Sequence, residues 1–542
     1  MRPLALRAAL VALTFLAAVP VAAAASAVRH DERPMLLPAT EGPGAAAASA
    51  SSQPATWLVA AEPGRAQAAA TARRFGAQKL RTGVVYRVAT VRARAFAAAL
   101  RADGALRYAE PDTAMKHASA LDAQPGGYAR GLVVEPGIAP PAPGAATIAV
   151  VDQQVDVTHP DLAGHTTVLN PGPLLGPHGT MVASAATGAL NGSGVFGIFP
   201  SNPVLSVGLP LDLRCSDAAN AVVAAANARA RVINLSFGSP QPCTTLYAAV
   251  QIAFARGSLV VAAAGNEFAA GNPVIYPAAY PHVLSVAALN AALQPSAFSS
   301  ENAAIDVAAP GVGIPLAIPT VFDDDGVADG VTLGSGTSFA APIVSGAAAW
   351  LATVRPNLRN GQLADVLRRS ARDIDPPGYD LGSGFGLIQM GAALAAPTPA
   401  LDPLEPNDGI SFVDGSVFTN PDRYVWTGSG RRTFSATADR LKDPVDVYRI
   451  RLPARSQARI RLRPAFGNPD LFIYRSDARS IDQSSRILAR SRKAAGQTDA
   501  VTVRNTGRSA RRYYVAIRVA ANRGVSLSTS YRLEFQRTKF RR

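Results

Sequence analysis

Residues 334–351 read Gly-Ser-Gly-Thr-Ser-Phe-Ala-Ala-Pro-Ile-Val-Ser-Gly-Ala-Ala-Ala-Trp-Leu. A glycine-rich turn runs into a helix-prone segment that carries no charge on any face. A helix that is apolar all round has to be enclosed by other elements, so the chain must fold around this stretch. The first turn of such a helix has N–H donors with no internal partner, and it favours negative charge. A serine placed there, Ser338, gains a donor for any oxyanion that its own oxygen creates. Pro342 is expected within the first helical turn, where its missing N–H does no harm. Taken alone, the stretch also fits a glycine–serine turn that simply caps a buried helix. The spacing is not Gly-x-Ser-x-Gly, which disfavours an α/β-hydrolase elbow.

A nucleophilic serine needs a base, and the base needs an orienting carboxylate. The chain has six histidines: His30, His117, His159, His165, His178 and His282. His178 stands in Gly-Pro-His-Gly-Thr-Met-Val-Ala-Ser, ahead of another small, apolar, helix-like run. Residues 147–152, Thr-Ile-Ala-Val-Val-Asp, read as an apolar strand ending on the carboxylate Asp152. Residues 258–266, Ser-Leu-Val-Val-Ala-Ala-Ala-Gly-Asn, read as a second buried strand ending on Asn266. Its amide can donate to an oxyanion while staying neutral. Sites of parallel sheets form at such carboxyl ends of strands.

The order Val-Val-Asp152, His178-Gly-Thr, Ala-Gly-Asn266, Gly-Thr-Ser338 resembles the subtilisin-like serine proteases, over residues 145–394. The resemblance implies Ser338 as nucleophile, His178 as general base and then general acid, and Asp152 as its orienting carboxylate. It implies an oxyanion hole from Asn266 and the backbone N–H of Ser338. It also implies that Ser236, Phe237 and Gly238 form the strand that pairs with substrate backbone; otherwise Ser236 merely ends a strand. No cofactor is required for this chemistry. Structural calcium is common in such relatives, but its ligands here are unknown. Gln153 and Gln154 stand where the family usually has Thr or Ser and then Gly, so a longer amide replaces a hydroxyl beside the triad carboxylate. Met181 replaces a frequent second histidine outside the triad.

Four regions follow in order. Residues 1–27 combine Arg2 and Arg7, an Ala/Leu/Val run and a small-residue end, and read as a secretory signal peptide. No other stretch reaches membrane-spanning length without polar breaks. Residues 28–127 read as a propeptide, with an inhibitor-like part at about 55–113. Strands are expected at 56–60, 84–88 and 105–112, and helices at 66–75 and 92–102, where Phe96 and Leu100 share a face. Placed before a catalytic domain, this small sandwich resembles an inhibitory propeptide; alternatively it is a free-standing domain. Its net charge is positive and that of residues 128–397 is negative, which favours docking. Processing is expected within or just after 113–127.

Residues 128–397 alternate short apolar runs with Ala-rich helical stretches, which argues a doubly wound α/β parallel sheet. Cys215 and Cys243 are the only cysteines; in an exported chain a disulfide between them is expected. The acidic loop at 322–330 is read as solvated rather than as a calcium site, and His159 as structural. Residues 398–542 carry short alternating strands after a Pro-rich linker, which argues a β-sandwich. Asp402-Pro-Leu-Glu-Pro-Asn-Asp408 and Gly467-Asn-Pro-Asp-Leu-Phe-Ile-Tyr resemble the bacterial pre-peptidase C-terminal domain. From residue 401 onward there are 28 Lys/Arg against 13 Asp/Glu, whereas the whole chain has 53 and 38. The +15 net charge therefore sits in this last region. Its basic face suits an anionic cell-envelope surface or acidic substrates; no motif for specific nucleic-acid recognition is present.

The expected protein is a secreted, monomeric serine endopeptidase made as a zymogen, acting on polypeptides and restrained by its own propeptide. The alternative is a catalytically impaired member of the fold that binds an anionic surface through its basic C-terminal region.

Overall fold

A computed structural model describes residues 55–538, apart from 64–65, 114, 118–128, 328, 375, 401, 403, 419–420, 441 and 521–527. The expected signal peptide, the first part of the propeptide and most of the processing region lie outside the described residues.

The N-terminal unit alternates β1 (Thr56–Ala61), α1 (Ala66–Arg74), β2 (Gln78–Lys79), β3 (Val85–Ala89), α2 (Thr90–Ala102) and β4 (Leu106–Pro111). Its strands form one antiparallel sheet in the order β2-β3-β1-β4. Phe96 and Leu100, one turn apart on α2, are fully buried against that sheet. Beyond it comes β5 (Lys116–His117), then α3 (Ala129–Val133).

The central unit is built on seven parallel strands. They are β6 (Ile148–Asp152), β7 (Thr166–Val168), β8 (Val204–Gly208), β9 (Val232–Leu235), β11 (Leu259–Ala263), β12 (Val283–Leu289) and β13 (Val307–Pro310), arranged β13-β12-β11-β9-β6-β8-β7. β11 is a continuous Leu/Val/Ala run, and β6 and β13 are such runs but for their last residues, because helices cover both faces. The helices are α4 (His178–Thr187), α5 (Cys215–Asn227), α6 (Thr244–Ala255) and α7 (Thr337–Val354). The hairpin β14 (Ile314–Ala317) and β15 (Val331–Gly334) leads into α7, and the short β10 (Phe237–Gly238) leaves β9. The 18 residues of α7 are long and apolar enough to cross a membrane, yet 89% of them are buried inside the fold. It is a core helix, with Trp350 fully buried.

The C-terminal unit is a sandwich of two antiparallel four-stranded sheets. One holds β16 (Arg431–Asp439), β18 (Ser456–Phe466), β21 (Asp499–Asn505) and β23 (Ser528–Thr538). The other holds β17 (Val445–Leu452), β19 (Pro469–Arg475), β20 (Ile487–Ser491) and β22 (Arg511–Val519). Alternation sends Ala458, Ile460 and Leu462 of β18 into the core and leaves Arg459 and Arg463 exposed.

The units are joined by buried charge. Lys442 of the sandwich side reaches Asp306 of the central unit at 3.1 Å and the Ala278 carbonyl at 2.9 Å. Arg368 of the central unit pairs with Asp439 at 2.7 Å. Against the central unit, the N-terminal unit seats two carboxylates on helix starts. Glu110 accepts from the N–H groups of Thr244 and Thr245, both at 3.0 Å, at the start of α6. Asp112 accepts from the Ser216 N–H at 2.9 Å in the first turn of α5. Arg87 reaches Asp217 at 2.6 Å. The contact between oppositely charged units is thus made largely by acidic groups of the basic one, because helix N-termini attract anions. A disulfide joins Cys215 to Cys243 and so ties the beginnings of these two helices together.

Replacing one partner of a buried pair leaves the other charge uncompensated, at about 3–5 kcal/mol. Lys442→Met is expected to lower stability by about 3 kcal/mol, read by denaturant unfolding. A change within 0.5 kcal/mol would show that Arg368 alone satisfies Asp306.

Candidate functional site

Asp152 is the last residue of β6, His178 the first of α4, Ser338 the second of α7, and Asn266 lies three residues past β11. Parallel strands deliver their carboxyl ends to one edge, and helices begin from that edge. The four sequence candidates are therefore gathered by topology.

Asp152 and Ser338 are fully buried, and His178 is nearly so. His178 Nδ1 lies 2.8 Å from Asp152 Oδ1. An ionised carboxylate can only accept, so Nδ1 carries the proton and Nε2 is the basic nitrogen. Asp152 Oδ1 also accepts from the Gln153 N–H at 2.7 Å. The His178 ring leans on Phe339, with centroids 5.7 Å apart.

Ser338 is held by a reciprocal pair of bonds. Its hydroxyl donates to the Ser236 carbonyl at 3.2 Å, and the Ser236 hydroxyl donates to the Ser338 carbonyl at 2.8 Å. The second bond has a cause in the sequence. Pro342 is not in the first turn; it is the sixth residue of α7. Its missing N–H would have bonded the carbonyl four residues back, which is that of Ser338. The Ser236 hydroxyl takes the vacated place. Ser236 is fixed in turn by the Asn234 amide at 2.9 Å, and Asn234 by the Ser345 hydroxyl at 2.9 Å. Before the helix, Gly336 has φ 156° and ψ 155°, a region essentially confined to glycine.

Asn266 is oriented by Thr337. The Thr337 N–H and hydroxyl both donate to Asn266 Oδ1, at 2.9 and 2.8 Å. With its oxygen so engaged, the amide turns Nδ2 the other way. Nδ2 is buried and has no acceptor among the described residues.

Phe237 and Gly238 form β10 and pair antiparallel with Lys116 and His117 of β5. Phe237 is fully buried, so this segment offers backbone rather than side chains. The acidic loop at 322–330 caps its own turns: Asp323 accepts from the Gly330 N–H and Asp329 from the Val331 N–H. His159 Nε2 lies 3.0 Å from the Gly330 carbonyl, a structural tie.

A cation-capable group lies elsewhere. Asp402, Glu405, Asp443 and Asp446 each bring one carboxylate oxygen within 4.8 Å of the others. Burial, then the neighbouring Glu405 charge, pushes Asp402 up to about 7. Burial and neighbouring carboxylates hold Asp443 and Asp446 well above the usual range. Asp446 is fully buried and its Oδ1 has no donor among the described residues. Such oxygen donors fit a hard divalent cation. The sequence signal was present in the Asp402–Asp408 motif, but the partners of Asp402 and Glu405, 38 to 44 residues on, were not foreseeable from spacing.

The subtilase family model matches residues 144–386. A subtilisin of Bacillus pumilus is 37% identical over 260 residues, covering 45% of this chain and 90% of that protein. The chain belongs to the subtilase family. Fervidolysin of Fervidobacterium pennivorans is 31% identical over 290 residues, 46% of this chain and 41% of its own. The crystal structure described as fervidolysin, a keratinolytic enzyme related to subtilisin, superposes with a TM-score of 0.55 at 18% identity over 83% of this chain and 85% of that one, a likeness of fold. As a subtilase the protein is a serine-type endopeptidase, and subtilases need no cofactor for their chemistry.

Losing the Ser236 hydroxyl leaves the Ser338 carbonyl buried without a donor, at about 1–3 kcal/mol. Ser236→Ala is expected to destabilise by about that much in thermal or denaturant unfolding. Adding Pro342→Ala restores an N–H for the same carbonyl and should recover part of the loss; a strictly additive double variant would refute the link.

Proposed function

We propose that this subtilase is exported as a precursor and cleaves polypeptides through Ser338, His178 and Asp152. The observation that carries the reading is Asn266: its oxygen is pinned by the residue before Ser338, and its buried Nδ2 has no acceptor among the described residues. A buried donor without an acceptor is costly in a resting protein and useful where an oxyanion forms.

Ser338 Oγ attacks the scissile carbonyl carbon and passes its proton to His178 Nε2. The developing oxyanion lies between Asn266 Nδ2 and the Ser338 N–H. Asp152 stabilises the imidazolium through Nδ1. His178 then gives the proton to the leaving amine, and an acyl-Ser338 ester remains. Water, deprotonated by His178, hydrolyses the ester and returns the enzyme. Extended substrate pairs with the backbone of Phe237 and Gly238, which explains tolerance of many sequences.

The N-terminal unit is the inhibitory propeptide in this reading. Its support is the pairing of β5 with β10, which lays the unit's own extension along the substrate strand. Residues 1–27 are the export signal, the central unit at 128–397 is the catalytic domain, and residues 398–542 form an appended sandwich. Calcium is the cation that the Asp402, Glu405, Asp443 and Asp446 oxygens suit, as a structural ligand remote from the chemistry.

A second reading rests on one observation. Arg463 of β18 lies directly opposite Arg532 of β23, both exposed, on the face that also shows Arg459 and Arg504. Glu534 compensates Arg463 only in part, at 3.9 Å; like charges facing across strands are destabilising, and a polyanion would relieve the remainder. An anionic cell-envelope surface is the proposed partner of this face, whether or not the site turns over.

Ser338→Ala is expected to remain full length, to leave casein intact and to refuse a fluorophosphonate probe, while the parent shortens, digests and labels. Asn266→Ala should retain labelling but lose about 10²–10³ in turnover, a magnitude that comes from a subtilisin itself. An Asn266→Ala enzyme within threefold of the parent would sink the oxyanion assignment. For calcium, chelation should lower the melting temperature by several degrees in the parent and leave Asp446→Asn unaffected; equal shifts in both would place the cation elsewhere.

A further inference from the structure

Gln153 departs from the family's usual hydroxyl beside the triad carboxylate, and the structure gives it a task. His178 opens α4, so its backbone N–H is one of the donors that the helix cannot satisfy. The preceding Pro177 supplies no capping side chain. The acceptor is instead Gln153 Oε1, at 3.1 Å, reaching across from the end of β6. The last residue of β6 and the residue after it thus hold a single histidine at two points. Asp152 takes the ring at Nδ1, and Gln153 takes the backbone.

The surrounding glycines agree with this. A Cβ at Gly176 would lie 2.3 Å from Gln153 Oε1, and a Cβ at Gly179 would lie 1.9 Å from the Gln153 carbonyl oxygen. Gly176, two residues before His178, and Gly179, just after it, are therefore kept bare where Gln153 approaches. The next residue completes the anchor: Gln154 Nε2 donates to the Ser206 hydroxyl of β8 at 2.8 Å. A threonine or serine at 153 is too short to span from the strand end to the helix start.

We infer that Gln153 is a positioning residue for the reaction: its side-chain amide caps the helix that carries His178 and fixes the imidazole against Asp152. The inference rests on the reading of His178 as the base. It also assigns the departure at 153 to an alternative support of the triad rather than to a loss of function.

The test compares Gln153→Ala, Gln153→Glu and the parent as mature enzymes on a chromogenic peptide across pH. Gln153→Ala is expected to lower kcat about tenfold with KM within about twofold, since displaced catalytic groups lose turnover rather than binding. Gln153→Glu keeps an acceptor for the His178 N–H and should recover most of kcat. Its added carboxylate should move the acidic limb of the profile to higher pH, because a nearby negative charge favours imidazolium. A readout independent of turnover is the downfield proton resonance of the His178 Nδ1–H, recorded also in the Ser338→Ala background. It should shift or broaden in Gln153→Ala and return in Gln153→Glu. An unchanged resonance together with unchanged kcat in Gln153→Ala overturns the inference, as does a loss of melting temperature with neither readout altered. If the parent itself fails to turn over, the functional reading falls, and the resonance still decides the role of Gln153.

Discussion

Four helices begin at the edge of the parallel sheet where the site lies, and each has N–H donors that it cannot satisfy itself. Every one of them is served from a different part of the chain. Gln153 serves α4, Asp112 serves α5, Glu110 serves α6 and Asn266 serves α7. An unmet donor in a buried place costs about 1–3 kcal/mol, so these contacts are obligations of the fold. The site exists because two of the obligations are met by residues that also touch the chemistry. Asn266 accepts at the start of α7 with its oxygen and thereby aims its nitrogen. Gln153 accepts at the start of α4 and thereby holds His178.

The same obligation explains where the N-terminal unit sits. Net charge suggested a basic unit drawn to an acidic one. The contact is more specific, because two carboxylates on β4 and just beyond it fit two helix starts that lie side by side. Burial pushes the Glu110 carboxyl upward, against the pull of the Thr244 and Thr245 donors. The Tyr108 hydroxyl meets Thr245 beside it. The disulfide between Cys215 and Cys243 fixes the spacing of those two helix starts, so the receiving face is built into the central unit.

The site was legible because its residues stand at the ends of strongly apolar runs. Val-Val-Asp152 and Ala-Ala-Gly-Asn266 can be read as buried strands that stop on a polar group, and such stops mark functional edges. The short apolar runs at 204–208, 232–235, 259–263 and 283–289 were legible for the same reason. Edge strands such as β7, β16 and β20 were not, since a half-exposed strand needs no apolar run. Pro342 was misplaced because the sequence does not show where α7 begins; only the position of Gly336 settles that. Gln153 shows in the sequence only as a replaced hydroxyl because its partner is a backbone donor 25 residues away, and backbone partners leave no trace in side-chain identity. The carboxylates at 402, 405, 443 and 446 were invisible as a group for want of any spacing rule.

The joint between the central unit and the sandwich has a consequence for how the molecule could be taken apart. The Pro-rich connector is strapped down: Arg355 holds the carbonyls of Ala393 and Ala396, and Gln362 holds that of Pro399. Beneath it, Lys442 and Asp306 are nearly or fully out of water. Cutting the connector would leave that pair and the Arg368–Asp439 pair in place, and separating the halves would have to break both at once. A nicked molecule should therefore travel as one particle through a sizing column and divide only under denaturant.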